Sequence, residues 1–109
     1  MEIVLVWSDT AIEDLRSIYD YLYFQASKKV ADKISNAIVD KTLLLEQSPR
    51  IGQKEEMLAH LKKEIRYLIE GNYKIVYWID DDLISIATVF DCRMNPKKLK
   101  ARTHKSGEK

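Results

Sequence analysis

The hydrophobic period changes partway along the chain, and that change constrains the fold more than any other feature. Up to about residue 47, apolar side chains recur at helical spacing. From residue 64 to residue 90 they alternate, as in strands. Two turn signals, Glu70-Gly71-Asn72 and Asp80-Asp81-Asp82, cut the alternating part into Glu64–Ile69, Tyr73–Ile79 and Leu83–Phe90. Turns this short join antiparallel neighbours, so the second half predicts a three-strand meander. On the middle strand Tyr73, Ile75, Tyr77 and Ile79 share one face, while Lys74, Val76 and Trp78 share the other. On the last strand Ile84, Ile86, Thr88 and Phe90 should alternate with Ser85, Ala87 and Val89.

The first half reads as one strand and two helices. Glu2 to Trp7 carries Val and Ile on both faces, which predicts a central strand buried on two sides. Ser8, Asp9 and Thr10 are all good cap types, and Thr10 with Glu13 fits a capping box. Ile12, Leu15, Tyr19 and Leu22 then form an apolar stripe with Ile18 beside it, and Asp14 falls off it. Ser27 can cap a second helix with the stripe Val30, Ile34, Ala37, Ile38 and Leu45, and with Ala31 and Leu44 at its margins. Ser48-Pro49-Arg50-Ile51-Gly52 ends it. Gln53 to Leu61 fits no pattern well. The expected architecture is α+β in the order β-α-α-β-β-β, a small antiparallel sheet with a helical hairpin on one face. The other face should be more open, and function should sit there or at the sheet ends.

Composition bounds the function classes. One hundred and nine residues, 46% hydrophobic and 32% charged, describe one globular domain. No apolar run approaches a membrane span, and the opening lacks a signal-peptide pattern. With Cys92 the only cysteine, no intrachain disulfide and no cysteine-based zinc site can form, and the cytoplasm is the expected compartment. The net charge of +1 is unevenly spread. Residues 92–109 hold seven Lys and Arg against one acid, and residues 1–91 hold eleven against sixteen. The domain is expected over 1–99, with a basic, flexible tail over 100–109. Such a tail suits a polyanion or an acidic partner, and equally a plain solubilising end.

Chemistry-bearing residues are few. No glycine-rich phosphate loop exists, and the Asp80–Asp82 run is a turn rather than a metal site. No metal or cofactor is expected. His60 and His104 read as surface or tail residues. Trp7, Trp78, Tyr73 and Tyr77 read as core or sheet-packing aromatics. Lys74 reads as a solvated strand lysine; Arg66, Lys62 and Lys63 could join it as a basic strip across adjacent strands, but Glu64 interrupts them. Arg93, after the last strand, suits an oxyanion or partner contact, or a salt bridge to Asp91.

Tyr73-Lys74-Ile75-Val76-Tyr77, then Asp80–Asp82, then Val89-Phe90-Asp91-Cys92-Arg93-Met94-Asn95-Pro96 resembles the RelE/ParE superfamily of type II toxins. Trp7, Ala11, Asp14-Leu15 and the Ser48–Gly52 segment agree, so the resemblance covers nearly all of residues 3 to 99. It implies a small toxin, of the plasmid-stabilisation kind, neutralised by a cognate antitoxin. RelE-like members cut mRNA on the ribosome, and ParE-like members poison DNA gyrase. Lys74 stands where the nucleases carry Arg, and Arg93 matches their arginine after the last strand. Leu99 replaces the tyrosine expected six residues later, and leucine cannot move a proton. The missing acid/base set favours a ParE-like gyrase inhibitor, which is not an enzyme. A ribosome-dependent endoribonuclease using Lys74 and Arg93 is the alternative, and an inactive binding module is a third. Arg66, Lys74, Arg93, Lys97 and Lys98 are the candidate target- or phosphate-binding residues.

Overall fold

Ser8 decides how the chain leaves its first strand. It has extended backbone, its Oγ accepts from the Ala11 N–H, and the helix begins at the next residue. The structure, a computed structural model, describes residues 2–55 and 64–93. In chain order these form β1 (Val4–Trp7), α1 (Asp9–Gln25), α2 (Lys28–Leu43), a 3-10 turn (Leu44–Glu46), β2 (Gln53–Lys54), β3 (Glu64–Glu70), β4 (Tyr73–Asp80) and β5 (Leu83–Asp91). Ser27 caps α2 as its sequence predicts, accepting from Val30 N–H. Thr10 is not the cap of α1, because Ser8 reaches the free N–H groups two residues earlier.

The strand order is β1-β5-β4-β3-β2. The meander β3-β4-β5 is antiparallel, with positive φ at Gly71 and Asp81 closing its two turns. Two features depart from the expected sheet. β1 runs parallel to β5, so the sheet is mixed, and Gln53–Lys54 adds a short edge strand beside β3. β1 is also an edge strand rather than a central one. Ile3, Leu5 and Trp7 pack on the core, while Val4 and Val6 stay 52% and 40% exposed. Its β-branched content reflects strand propensity, not burial on two sides.

Both helices pack on one face of the sheet. Ala11, Leu15 and Ile18 of α1 and Ile34 and Ile38 of α2 meet Leu68, Ile75, Tyr77, Ile79, Ile84 and Ile86 there. The two faces of β4 separate as expected: Val76 and Trp78 join Ile65, Tyr67, Ala87 and Phe90 in a second cluster on the opposite face. The helical stripes hold at Leu15, Ile18, Ile34, Ile38 and Leu45 and differ at their margins. Ile12 and Leu44 are exposed, and Ala31 and Thr42 are fully buried.

β5 breaks its expected alternation at a bulge. Tyr77 pairs with Ile86 and Val76 with Thr88, which leaves Ala87 as the extra residue. Val89 therefore faces the core and Phe90 the outer cluster. Two side chains from the start of α1 hold this bulge. Ser8 Oγ donates to Ala87 O at 3.0 Å, and Asp14 Oδ2 accepts from Thr88 Oγ1 at 2.5 Å and from Val89 N–H at 3.0 Å. Asp14 is thus buried, against the polar position its spacing suggests.

The loop after the 3-10 turn is fixed by a tyrosine. Tyr77 Oη donates to Pro49 O at 2.8 Å and accepts from Gly52 N–H at 3.0 Å. Arg50 makes two 2.8 Å hydrogen bonds to Glu64, and Arg66 Nε adds a third at 2.9 Å. The two guanidinium groups hold the Glu64 carboxyl below its ordinary value of 4.5. The sign follows from linkage: a depressed carboxylate adds stability above its unfolded pKa and loses it as pH falls through the folded one. Glu64→Gln should therefore remove part of the protein's acid sensitivity. Thermal melts from pH 6 down to pH 3, within the range where carboxylates titrate, should give a shallower slope for the variant than for the wild type. Parallel slopes would mean that the cluster adds nothing.

Candidate functional site

The candidate cations divide between the two faces of the sheet. Arg66 pairs across β3 and β4 with Tyr77, so it lies on the helix face. Its side chain is largely covered, donating to Gly52 O at 2.7 Å as well as to Glu64. Its role is to bind the 48–52 loop to the sheet. Lys74 is one step out of phase with Tyr73 and Ile75 and lies on the outer face. No basic strip joins the two, because adjacent pleat positions send them to opposite sides. Lys62, Lys63, Lys97, Lys98, His60, Leu99 and His104 lie outside the described residues, as does the 100–109 tail.

Lys74 is enclosed. Its Nζ sits 2.6 Å from Glu55 Oε1 and 4.1 Å from the centre of the Tyr67 ring. Tyr67 Oη in turn donates to Gln53 Oε1 at 3.1 Å. Glu55 is only 4% exposed, and its backbone N–H donates to Ile65 O at 3.0 Å, extending the β2 edge. A carboxylate that close gives the ammonium an opposite charge in a half-buried place. It also offsets the charge that a phosphate would seek. Sequence reasoning missed Glu55 and Tyr67. Glu55 lies in a segment with no periodic signal, and its partner is set by β2 pairing with β3.

Arg93 occupies a different corner. It follows β5, and its side chain is 67% exposed. Its Nε donates to Asp91 Oδ1 at 2.9 Å, its backbone N–H donates to the same oxygen at 2.9 Å, and Nη2 donates to Oδ2. The guanidinium lowers the Asp91 pKa, and the carboxylate raises that of Arg93 further above its already high value. Tyr73 and Tyr21 lie near Arg93. Burial, and then Asp91, pushes the Tyr73 hydroxyl up, so it stays protonated at neutral pH. Tyr73 belongs to the helix-side core, so Arg93 sits at that side of the sheet end, away from Lys74.

The two cations that a nuclease would use together are therefore not convergent. Each has its own carboxylate, and a sheet separates them. Among the described residues no group of His, Cys, Asp and Glu could hold a metal ion, and no helix is long and apolar enough to cross a membrane. What the arrangement offers is a half-neutralised arginine with an exposed aromatic neighbour at one sheet end, and an apolar outer face around an internal ion pair. The exposed arginine suits contact with a macromolecule.

The comparisons with known proteins agree with this architecture. Residues 5–96 match the family described as ParE toxin of type II toxin-antitoxin system, parDE. Among solved structures, a chain of the chromosomal ParDE TA system from P. aeruginosa superposes with a TM-score of 0.69 at 22% identity, covering 82% of this chain and 95% of that one. A chain of the RelBE2 toxin–antitoxin complex from Mycobacterium tuberculosis gives a TM-score of 0.58 at 21% identity, over 84% and 92%. At these identities the structural likeness speaks for the fold. No curated protein matches in sequence. With the family model spanning most of its length, the chain belongs to the ParE toxin family of type II toxin–antitoxin systems.

Proposed function

We propose that this toxin inhibits DNA gyrase in the cytoplasm and is neutralised by a cognate antitoxin. The observation that carries the reading is the family match over residues 5–96. The geometry supports it. Strand cleavage of RNA needs a base, an acid and a charge stabiliser gathered around one phosphate. Here Lys74 is engaged by Glu55, and Arg93 lies at the other side of the sheet, engaged by Asp91. A poison that works by binding needs no such convergence. The antitoxin is expected to be acidic, to complement the seven basic residues after residue 91.

The deciding experiment adds the purified full chain, freed of antitoxin, to gyrase, relaxed plasmid and ATP. Blocked supercoiling with trapped cleaved DNA is expected. Normal supercoiling by a folded sample would refute the reading, and cleavage of message in a translating extract would then establish a nuclease. Arg93→Ala is expected to weaken the gyrase block about tenfold, the loss of roughly one charge-assisted contact. Its stability should change by less than about 1 kcal/mol, because the ion pair it loses is exposed. Undiminished inhibition at equal concentration would remove Arg93 from the contact surface.

A further inference from the structure

The outward side of α1 carries a ridge of four side chains spaced four residues apart: Ile12, Arg16, Asp20 and Phe24. At 100° per residue Arg16, Asp20 and Phe24 lie on the side away from Ala11, Leu15 and Ile18, which face the sheet, and Ile12 lies at the flank, about 60° from Leu15. Tyr19, between the two sides, turns to α2 and donates to Asp32 at 2.8 Å. The ridge is open. Ile12 is 45% and Phe24 80% exposed, and Arg16 and Asp20 are exposed between them. The contact of Arg16 with Glu13 on its own helix is 3.8 Å long and largely in solvent, which leaves the guanidinium available.

The order of chemistry along this ridge is apolar, basic, acidic, apolar. Read backwards it is apolar, acidic, basic, apolar. A second ridge laid antiparallel therefore sets Ile12 against Phe24 twice and Arg16 against Asp20 twice. Ridges of residues four apart are also the rows that interlock when helices pack. The span from Ile12 to Phe24 is about 18 Å at 1.5 Å per residue, long enough for a helix–helix contact. Flanking residues extend the match. Tyr23, 44% exposed, stands beside Phe24, and Leu43, 47% exposed, lies on α2 near the Ile12 end.

We propose that two copies of this chain associate through their α1 ridges about a two-fold axis midway between Arg16 and Asp20, forming an isologous dimer. The two hairpins then make a four-helix contact with the sheets outermost. The dimer covers Phe24 and Ile12 and leaves both Lys74 and Arg93 free of the contact, so it does not depend on the gyrase reading.

Sedimentation velocity of the full chain, free of antitoxin, tests this across 1–100 µM, a range typical for moderate association. The wild type is expected to shift from monomer to dimer within it. Arg16→Glu sets like charges opposite one another twice and should weaken the dimer at least about tenfold. Asp20→Arg should do the same. The double variant Arg16→Glu with Asp20→Arg keeps the ridge self-complementary and should restore dimerisation. All four positions are on the surface, so each variant should melt like the wild type. A wild type that stays monomeric throughout, or a dimer indifferent to Arg16→Glu, would overturn the proposal, as would a double variant no better than either single one.

Discussion

Asp14→Ala should lower stability by about 2–4 kcal/mol, because it strands a buried backbone N–H and a buried hydroxyl together. Both donors, Val89 N–H and Thr88 Oγ1, meet one oxygen of the carboxylate. They lie just past the β5 bulge, where the strand ladder offers the extra residue no partner. For a domain of this size the loss corresponds to a fall in Tm of roughly 10–20 °C. Asp14→Asn keeps an acceptor oxygen in place and should cost only about 1 kcal/mol, since the geometry survives and the charge assistance is lost. Thr88→Val, which removes one donor and leaves the carboxylate its bond to Val89, should fall between the two. A thermal melt of the three variants ranks them. If Asp14→Ala and Asp14→Asn melted together, charge and not acceptance would be the carboxylate's contribution. The change should also reach function. β5 leads directly to Arg93, and a bulge that slips by one residue turns every later side chain to the other face.

How much of this was legible depends on whether the cause was local. The turns at Gly71 and Asp81 could be read, because positive φ selects a few residue types within three positions. The Ser27 cap and the two faces of β4 were equally local, set by one hydroxyl and by the strand period. What failed depended on partners distant in sequence. The apolar content of β1 suggested a central strand, but strand order is chosen by the crossover through α1 and α2, which no residue of β1 records. Asp14 looked like a solvent-facing helix acid until β5, 74 residues later, supplied its donors. The bulge itself has no signature at Ala87. Of the candidate site, Arg93 and its pairing with Asp91 were readable from their adjacency. The pairing of Lys74 with Glu55 was not, since it follows from β2 joining the edge of β3. The apparent basic strip failed for a simpler reason. Arg66 and Lys74 occupy positions of opposite pleat, and the identity of the residues alone does not say which pleat meets the helices.

Gly52→Ala should be the most damaging single methyl in the described fold. A Cβ at this buried position would stand 2.5 Å from Tyr67 O, 2.6 Å from Tyr77 Oη and 2.9 Å from Tyr77 Cε1. Real contacts of this kind are not tolerated, so the loop or the strand must move. Movement of the loop breaks the hydrogen bond from Gly52 N–H to Tyr77 and the one from Arg66 to Gly52 O. Overpacking plus two strained buried bonds should cost about 3 kcal/mol or more. Tyr77→Phe alone removes only the hydroxyl, leaving Pro49 O and Gly52 N–H short of a partner, and should cost about 1–3 kcal/mol. The double variant separates the two obstacles. It relieves the contact with Oη but keeps the ring contact at Cε1 and the clash with Tyr67 O, which belongs to the sheet backbone and cannot rotate away. Its stability should therefore stay clearly below that of Tyr77→Phe, while the two losses add to less than their sum. Urea midpoints of the three variants give the comparison. A double variant as stable as Tyr77→Phe would show that the hydroxyl was the whole obstacle. A Gly52→Ala protein within about 0.5 kcal/mol of the wild type, the range of a neutral surface change, would mean that the loop does not lie against the sheet. Since β2 begins at Gln53, immediately after this glycine, the same measurement tests whether the Glu55–Lys74 pair is held in place from the 48–52 loop.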